Sequence, residues 1–157
     1  MIKLVLFDFD GVFTDGKVYF DTNGNISKCY NVNDGFGINL LKKNNIEIGI
    51  ISGYKLNNSQ KAIIDHLKIK YFSFDNNKLT IAKNWCKNLD INLTEEAAFI
   101  GDDINDIELM QNIKISGCPQ DANKDCLDIV KFISKKNGGH GCVRDFCEYI
   151  IEFNISK

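Results

Sequence analysis

The apolar positions of this chain fall into short runs, each stopped by a polar or glycine-containing turn. Leu4-Val5-Leu6-Phe7 ends at Asp8-Phe9-Asp10-Gly11, the pattern of a strand covered on both faces, as in a parallel sheet. Ile46-Glu47-Ile48-Gly49-Ile50-Ile51 repeats the pattern and stops at Ser52-Gly53, Tyr71 to Phe74 is a shorter run, and Ala97 to Ile100 leads into Gly101-Asp102-Asp103. A fifth run, Ile113 to Ser116, stops at Gly117-Cys118-Pro119, and a sixth covers Val130 to Ile133. Between these runs the apolar period lengthens to that of a helix. One helix opens at Asp34, carries Ile38, Leu40 and Leu41, and ends near Asn44-Asn45. A second runs from about Asn57 to Leu67, with Ile63, Ile64 and Leu67 on one face. A third opens near Lys78 and carries Leu79, Ala82, Trp85, Cys86 and Leu89 as a core stripe. A fourth bears Ile107, Leu109 and Met110, Asp121 to about Ile129 reads as a fifth, and the last carries Val143, Phe146, Cys147, Ile150 and Phe153.

One segment breaks the alternation. Lys17 to Asp21 and Ile26 to Tyr30 flank Thr22-Asn23-Gly24-Asn25, and Asn-Gly between two short strand-like stretches predicts a β-hairpin. The expected fold is therefore α/β: a Rossmann-like parallel sheet with helices on both faces, plus a hairpin flap after the first strand. No repeat or low-complexity stretch divides the sequence, so one domain over residues 1–157 is expected. The flap lies at about 17–30 and a C-terminal tail at about 136–157, entered through a flexible link at Lys136-Asn137-Gly138-Gly139-His140-Gly141. No insertion is long enough to form a cap domain.

Composition narrows the partners. The net charge is −2 and no Lys/Arg cluster stands out, which argues against a nucleic-acid partner. No apolar run approaches the ~20 residues of a membrane-spanning helix, and no leader is visible before the first strand. The six cysteines are scattered without a Cys-x-x-Cys pair, as expected of buried thiols in a cytoplasmic protein rather than of disulfides or a zinc site. His66 and His140 read as structural or surface residues.

Chemistry enters at the strand ends, because ligands of open α/β sheets bind beyond the carboxyl ends of the strands. The first strand delivers Asp8 and Asp10, two carboxylates on one face that repel unless a metal neutralises them or one retains a proton. The second delivers Ser52 and Gly53, the loop after the third delivers Lys78, and the fourth delivers Asp102, Asp103 and Asp106. Hard oxygen donors with a single ammonium suit Mg²⁺ and a phosphate group. Singly, each residue has a plainer reading. The first pair could be an Asp-rich turn, Ser52 a helix cap and Lys78 a solvated lysine. Asp103 and Asp106 could be an N-cap and a first-turn acid, and Asp34 a cap. Joint occurrence at one sheet edge is what points to a reaction centre.

Asp8-Phe9-Asp10-Gly11-Val12, Ile51-Ser52-Gly53, Lys78 and Gly101-Asp102-Asp103-Ile104-Asn105-Asp106 resemble the four motifs of the haloacid dehalogenase superfamily. Thr14-Asp15-Gly16, Asn31-Val32-Asn33-Asp34-Gly35-Phe36-Gly37-Ile38 and Gly138 to Asp145 further resemble its capless subgroup, which includes 3-deoxy-octulosonate 8-phosphate and nonulosonate 9-phosphate phosphatases. The resemblance implies that Asp8 is the nucleophile that becomes an aspartyl-phosphate and that Asp10 protonates the leaving alkoxide and then activates water. It implies Mg²⁺ on the Asp8 carboxylate, the Asp10 backbone carbonyl and Asp102, with Asp103 and Asp106 behind them orienting water or Lys78. Ser52 would donate to a phosphoryl oxygen and Lys78 would neutralise charge in the transition state. Substrate contacts are expected from Asp10, Asn31, Asn33, Asp34, Gly35, Gly53, Tyr54, Lys55, Lys78 and Arg144. The subgroup assembles as tetramers, which implies a homotetramer in which a neighbour's flap or tail covers the site, with Arg144 acting between subunits.

The chain departs from the octulosonate pattern where that pattern has basic residues. Asn33, Tyr54 and Asn39 stand in their place, removing bidentate partners for a sugar carboxylate. The favoured expectation is therefore a nine-carbon nonulosonate 9-phosphate, with the octulosonate 8-phosphate as the alternative and Lys55, Lys61 and Arg144 as remaining carboxylate partners. Two other classes stay open. A signalling receiver domain also uses acids, a phosphorylated Asp and a Lys, although it takes the phosphoryl group on a different strand. A catalytically idle oligomeric partner of a sugar-nucleotide enzyme would leave these motifs without a reaction.

Overall fold

The computed structural model describes residues 1–156. Its elements in chain order are β1 (Leu4–Phe7), β2 (Tyr19–Phe20), β3 (Ile26–Ser27), α1 (Val32–Lys43), β4 (Glu47–Ser52), α2 (Asn58–Leu67), β5 (Tyr71–Phe74) and α3 (Lys78–Asn88). They continue with α4 (Leu93–Glu96), β6 (Ala97–Ile100), α5 (Ile107–Gln111), β7 (Ile115–Cys118), α6 (Lys124–Leu127), β8 (Phe132–Ile133) and α7 (Cys142–Ile155), and a 3₁₀ turn at Ile104–Asp106 leads into α5. Six strands form one parallel sheet in the order β5-β4-β1-β6-β7-β8, while β2 and β3 pair antiparallel as the hairpin. The chain moves outward from β1 through β4 to β5, then crosses to the other side of β1 for β6, β7 and β8. The direction of winding changes beside β1, which is where an open α/β sheet forms its ligand crevice.

Strand periodicity sorts the core into two layers. Val5 and Phe7 of β1 join Ile48, Ile50, Ala98 and Ile100 against the apolar stripes of α1, α2 and α7. Leu4 and Leu6 face the other way, with Phe99, against Leu79, Ala82, Cys86, Leu109 and Met110. Trp85 packs on this second layer, as its helical spacing predicts. Five of the six cysteines are buried and all six are free thiols. No helix among the described residues is long and apolar enough to cross a membrane.

Several boundaries move from the sequence expectation, each for a local reason. Helix α1 begins earlier, because Asn31 is its N-cap and accepts from the Asn33 N–H. Asp34 therefore lies inside the first turn, fully buried, and is not the cap. Strand β7 runs through Gly117 instead of breaking there. The Phe146 ring sits where a β-carbon of Gly117 would be, so this glycine is a packing seat. Helix α6 shrinks because the residues before it tie loops together: the Asp121 carboxylate accepts from Gly138 N–H and the Asn123 N–H donates to Asp102 O. The link at 136–141 is packed rather than loose. Gly139 N–H donates to Val12 O, and a β-carbon on Gly138 would collide with the Gly11 carbonyl. The link thus buttresses the loop that follows β1.

Asp34 connects α1 to this buttress. Its Oδ1 accepts from the Arg144 N–H at 3.0 Å, in the first turn of α7, where the N-cap Gly141 offers no side chain. Its Oδ2 is buried without a hydrogen-bond partner. Burial is the main cause that pushes the carboxyl up to about 7, with Asp145 adding to it and the Arg144 N–H opposing it. A folded-state pKa above the unfolded value near 3.8 means that the native state holds the extra proton. This contribution to stability is complete at low pH and is lost as pH rises through 7. Asp34→Asn keeps the acceptor and removes the buried charge. In urea unfolding its stability relative to wild type should widen by about 2–3 kcal/mol between pH 5 and pH 8; a constant difference would show that Asp34 stays ionised in the fold.

Candidate active site

The register of the sheet sets the geometry of the site. Phe7 lies opposite Ile100, and the Asp8 N–H continues the ladder to Ile100 O at 2.9 Å. The tips of β1 and β6 therefore leave the sheet side by side, which brings Asp8 and Asp102 to one crevice. A β-carbon on Gly11 would collide with the Asp102 carboxylate, and Gly11 has φ +83°, a backbone region that L side chains rarely adopt. A cavity of about 390 Å³ opens there, lined by Asp8, Asp10, Gly11, Gly16, Ser52, Gly53, Tyr54, Asn76, Asp102, Asp103 and Asn105.

Beside Asp8 lies Lys78, the first residue of α3, with its side chain 1% exposed. Its ammonium is 2.5 Å from Asp106 Oδ1 and 3.0 Å from Asp8 Oδ1, and it sits over the Phe99 ring at 5.9 Å. Burial would lower the pKa of this lysine, but the Asp8 and Asp106 carboxylates outweigh it and hold the group above its usual range. Asp106 is saturated: beside Lys78 it accepts from the Asp102 and Asp103 N–H groups through Oδ2. Asp103 caps the 3₁₀ turn by accepting from Ile104 N–H, and with Asp106 it forms a reciprocal capping pair.

Asp8 and Asp102 are less well compensated. Burial first, then the Asp106 charge, pushes Asp8 up to about 6 against the pull of Lys78. Burial and the charges of Asp8 and Asp106 push Asp102 up to about 8. Asp8 Oδ1 is in ion-pair range of Lys78 but lacks hydrogen-bond geometry to any group. Oxygen atoms of Asp8, Asp102 and Asp106 lie within 4.8 Å of one another. Three clustered carboxylates against one ammonium, two of them buried, Asp102 half-buried, and Asp8 with an unbonded oxygen, fit a hard divalent cation such as Mg²⁺. Asp106 is already committed to its donors, so Asp8 and Asp102 are the carboxylates with capacity to spare. The Asp10 side chain is turned elsewhere, which leaves only its backbone for such a role.

Asp10 forms a second cluster beside the first. Its Oδ1 accepts from Thr14 Oγ1 at 3.1 Å, and its Oδ2 from Gln60 Nε2 at 3.1 Å and Lys28 Nζ at 2.5 Å. Ser52 is buried at the cavity wall and its Oγ accepts from Tyr54 N–H. It caps no helix, because Asn57 caps α2 in a reciprocal pair with Gln60. Gly53 is wedged between Asn76 and Asn105, whose amides stand where its β-carbon would be.

The remaining expected contacts lie outside this cavity. Asn31 and Asn33 are taken up in the start of α1, and Asp34 is buried against α7. Gly35 lines a separate groove with Tyr30, Phe36 and His66. Lys55 borders a shallow depression that adjoins the cavity at Gly53 and Tyr54. Arg144 is exposed on α7, bonded to Glu148 and 6.0 Å from the Phe36 ring. Sequence reasoning missed Thr14, Lys28, Gln60, Asn76 and Asn105. Thr14 and Asn105 lie inside motifs already recognised, and Asn57-x-x-Gln60 is a capping signature. Nothing in the sequence sets Lys28 apart from the other lysines.

Comparison with known proteins extends this picture. A family model described as haloacid dehalogenase-like hydrolase matches residues 25–145. The 3-deoxy-D-manno-octulosonate 8-phosphate phosphatase of Salmonella typhi is 31% identical over 150 residues, covering 96% of this chain and 79% of that protein. The enzyme of the same name from Moraxella catarrhalis, solved with magnesium, phosphate and KDO, superposes with a TM-score of 0.91 at 30% identity, covering 96% and 86% of the two chains. The cobalt-bound form of the corresponding Haemophilus influenzae phosphatase gives 0.89 at 31% identity, covering 96% and 88%.

The charge imbalance generates a test with a change of sign. Without divalent cation at pH 8, Asp102→Asn should melt above wild type, because it removes a buried repulsion. Adding Mg²⁺ to about 100 times its dissociation constant should raise the wild-type melting temperature by roughly 5–10 °C. The variant should gain little, so the order reverses; parallel shifts in both proteins would place the cation elsewhere.

Proposed function

Because the chain belongs to the haloacid dehalogenase-like hydrolases, we propose that it is a Mg²⁺-dependent phosphatase that hydrolyses the phosphate monoester of a keto-deoxy sugar acid through an aspartyl-phosphate. The observation that carries this reading is the buried Lys78 between Asp8 and Asp106, at the edge of a cavity that Asp8, Asp10 and Asp102 line together. Asp8 is the nucleophile: its Oδ1 has no hydrogen bond to surrender. Its attack on phosphorus replaces one slow displacement with two faster ones. Asp10 protonates the departing alkoxide and afterwards takes a proton from the water that attacks the aspartyl-phosphate. Ser52, already accepting from Tyr54 N–H, keeps its own O–H to donate to a phosphoryl oxygen. Lys78 supplies fixed positive charge where negative charge develops. Asp8, the Asp10 carbonyl and Asp102 would hold Mg²⁺, which when bound offsets the repulsion between a carboxylate nucleophile and a phosphate dianion. Asp103 and Asp106 hold the turn that carries Asp102, and Asp106 also holds Lys78.

The sugar is read by the cavity mouth. The relatives are named for 3-deoxy-D-manno-octulosonate 8-phosphate, which makes that sugar acid the first substrate to test. Tyr54, Asn76 and Asn105 give this mouth an aromatic ring and two neutral amides, and Asn33 and Asn39 replace further basic positions of the octulosonate pattern. These departures favour a nonulosonate 9-phosphate. A homotetramer would complete the site. The hairpin exposes Tyr19 and Phe20, and α1 exposes Val32 and Phe36, apolar surface suited to burial between subunits. In that assembly a neighbour's flap or tail covers the cavity, and Asn31, Gly35, Lys55 and Arg144 reach substrate from a subunit boundary. Buried free thiols fit a cytoplasmic location.

Phosphate release from eight- and nine-carbon keto sugar acid phosphates, compared as kcat/KM with Mg²⁺, tests the assignment. One of the two should exceed simple sugar phosphates by about 100-fold or more, a factor worth ~3 kcal/mol of transition-state binding. Asp8→Asn should reduce release by roughly 10⁴-fold. A rate unaffected by Asp8→Asn would favour the catalytically idle partner instead.

A further inference from the structure

Lys28 is the one charged group at the site for which the reaction as drawn has no use. It follows β3, and its side chain is 1% exposed. Unlike Lys78, it does not pair with Asp8; its ammonium is taken up by Asp10. Its ammonium is 2.5 Å from Asp10 Oδ2 and 5.1 Å from the centre of the Tyr54 ring, which lies at the cavity mouth and is half exposed. Its backbone N–H donates to Ser59 Oγ at 2.9 Å. The hairpin itself is a ladder of only two residue pairs, Tyr19 with Ser27 and Phe20 with Ile26, too small to hold its place unaided. Lys28 thus fastens the hairpin at two points, to α2 through Ser59 and to Asp10 through the ammonium.

We propose that Lys28 is a positioning residue for proton transfer by Asp10 and that it couples docking of the β2–β3 hairpin to that step. The proposal rests on the assignment of Asp10 as general acid. Lys28 and Gln60 both occupy Oδ2, while Oδ1 accepts only from Thr14. Oδ2 is thereby pinned, and Oδ1 is the oxygen with a lone pair left to carry the proton to the leaving alkoxide. A carboxylate held by donors from three separate segments cannot rotate freely, and a general acid displaced from its partner loses most of its advantage. The described contacts of Lys28 run to Asp10, Tyr54 and Ser59, not to the nucleophile Asp8 or its counter-charge Lys78, so its loss should slow proton donation selectively.

The test uses the Mg²⁺-loaded, full-length enzyme and two substrates. 3-Deoxy-D-manno-octulosonate 8-phosphate has an alkoxide leaving group that needs a proton, whereas the nitrophenolate of p-nitrophenyl phosphate departs without one. Lys28→Met should lower kcat/KM for the sugar phosphate by about 100-fold relative to the change for p-nitrophenyl phosphate. The loss should fall on kcat, with KM within about 3-fold, and Lys28→Arg should restore about 10-fold of it. Asp10→Asn should show the same leaving-group selectivity, and adding Lys28→Met to it should cost little more. Equal losses on both substrates in Lys28→Met, or no loss at all, would overturn the proposal while Asp10→Asn remains selective. An unselective Asp10→Asn would instead sink the general-acid reading, and the proposal with it.

Discussion

The site is organised by a charge deficit. One ammonium, Lys78, is buried between the carboxylates of Asp8 and Asp106, and Asp102 stands beside those two as a third carboxylate. An uncompensated buried charge costs several kcal/mol, and whole domains are stable by only about 5–15 kcal/mol. The fold meets part of the deficit internally by turning two backbone N–H groups onto Asp106. It leaves the rest on Asp8 and Asp102, whose raised carboxyls record the strain. On this reading the same arrangement would give a divalent cation its affinity, and a cation held there would offset the repulsion that these carboxylates present to a phosphate dianion.

Sheet topology delivers the deficit to one place. Because β1 lies between β4 and β6, their carboxyl ends open onto a common crevice, and residues distant in sequence meet without long loops. The glycine link before α7 then closes the back of the β1 loop through Gly138 and Gly139. Asp34 ties α1 to the first turn of α7. The loop that carries Asp8 and Asp10 is thus clamped by the C-terminal part of the chain, which explains why a stretch rich in glycine is ordered.

Much of this was legible in the sequence because it rests on local patterns. Both-face burial predicts the strands as continuous apolar runs, and the helical stripes on α2, α3 and α7 match the observed packing. Boundaries moved where a side chain served a distant partner. Asp34 looks like a cap by its type and position, but it is buried for the sake of α7. Gly117 looks like a breaker, but it is a seat for Phe146. The surroundings of Asp10 were illegible for the same reason, since Lys28 and Gln60 reach it from separate elements and only three-dimensional proximity gives them meaning. The expected substrate contacts at Asn31, Lys55 and Arg144 do not line the cavity that holds Asp8 and Asp102, because Asn31 is used to cap α1, Arg144 pairs along α7 and Lys55 is left on the surface.

On the proposed mechanism the two clusters divide the chemistry between them. Asp8, Lys78, Asp102 and Asp106 would deal with phosphorus and its charge; Asp8 and Asp102 leave the sheet edge, and Asp106 ties Lys78 at the start of α3 to the turn after β6. Asp10 would deal with the leaving oxygen, and its partners come from other parts: the loop after β1, the hairpin and α2. Tyr54 stands between them, its backbone on Ser52 and its ring over Lys28. A ligand that presses on Tyr54 therefore bears on the groups that hold the acid, whereas the phosphoryl-accepting groups stay where the sheet puts them. On the proposed mechanism the mouth and the hairpin would set the leaving group that is accepted, while the nucleophile and its counter-charges are held by the sheet edge.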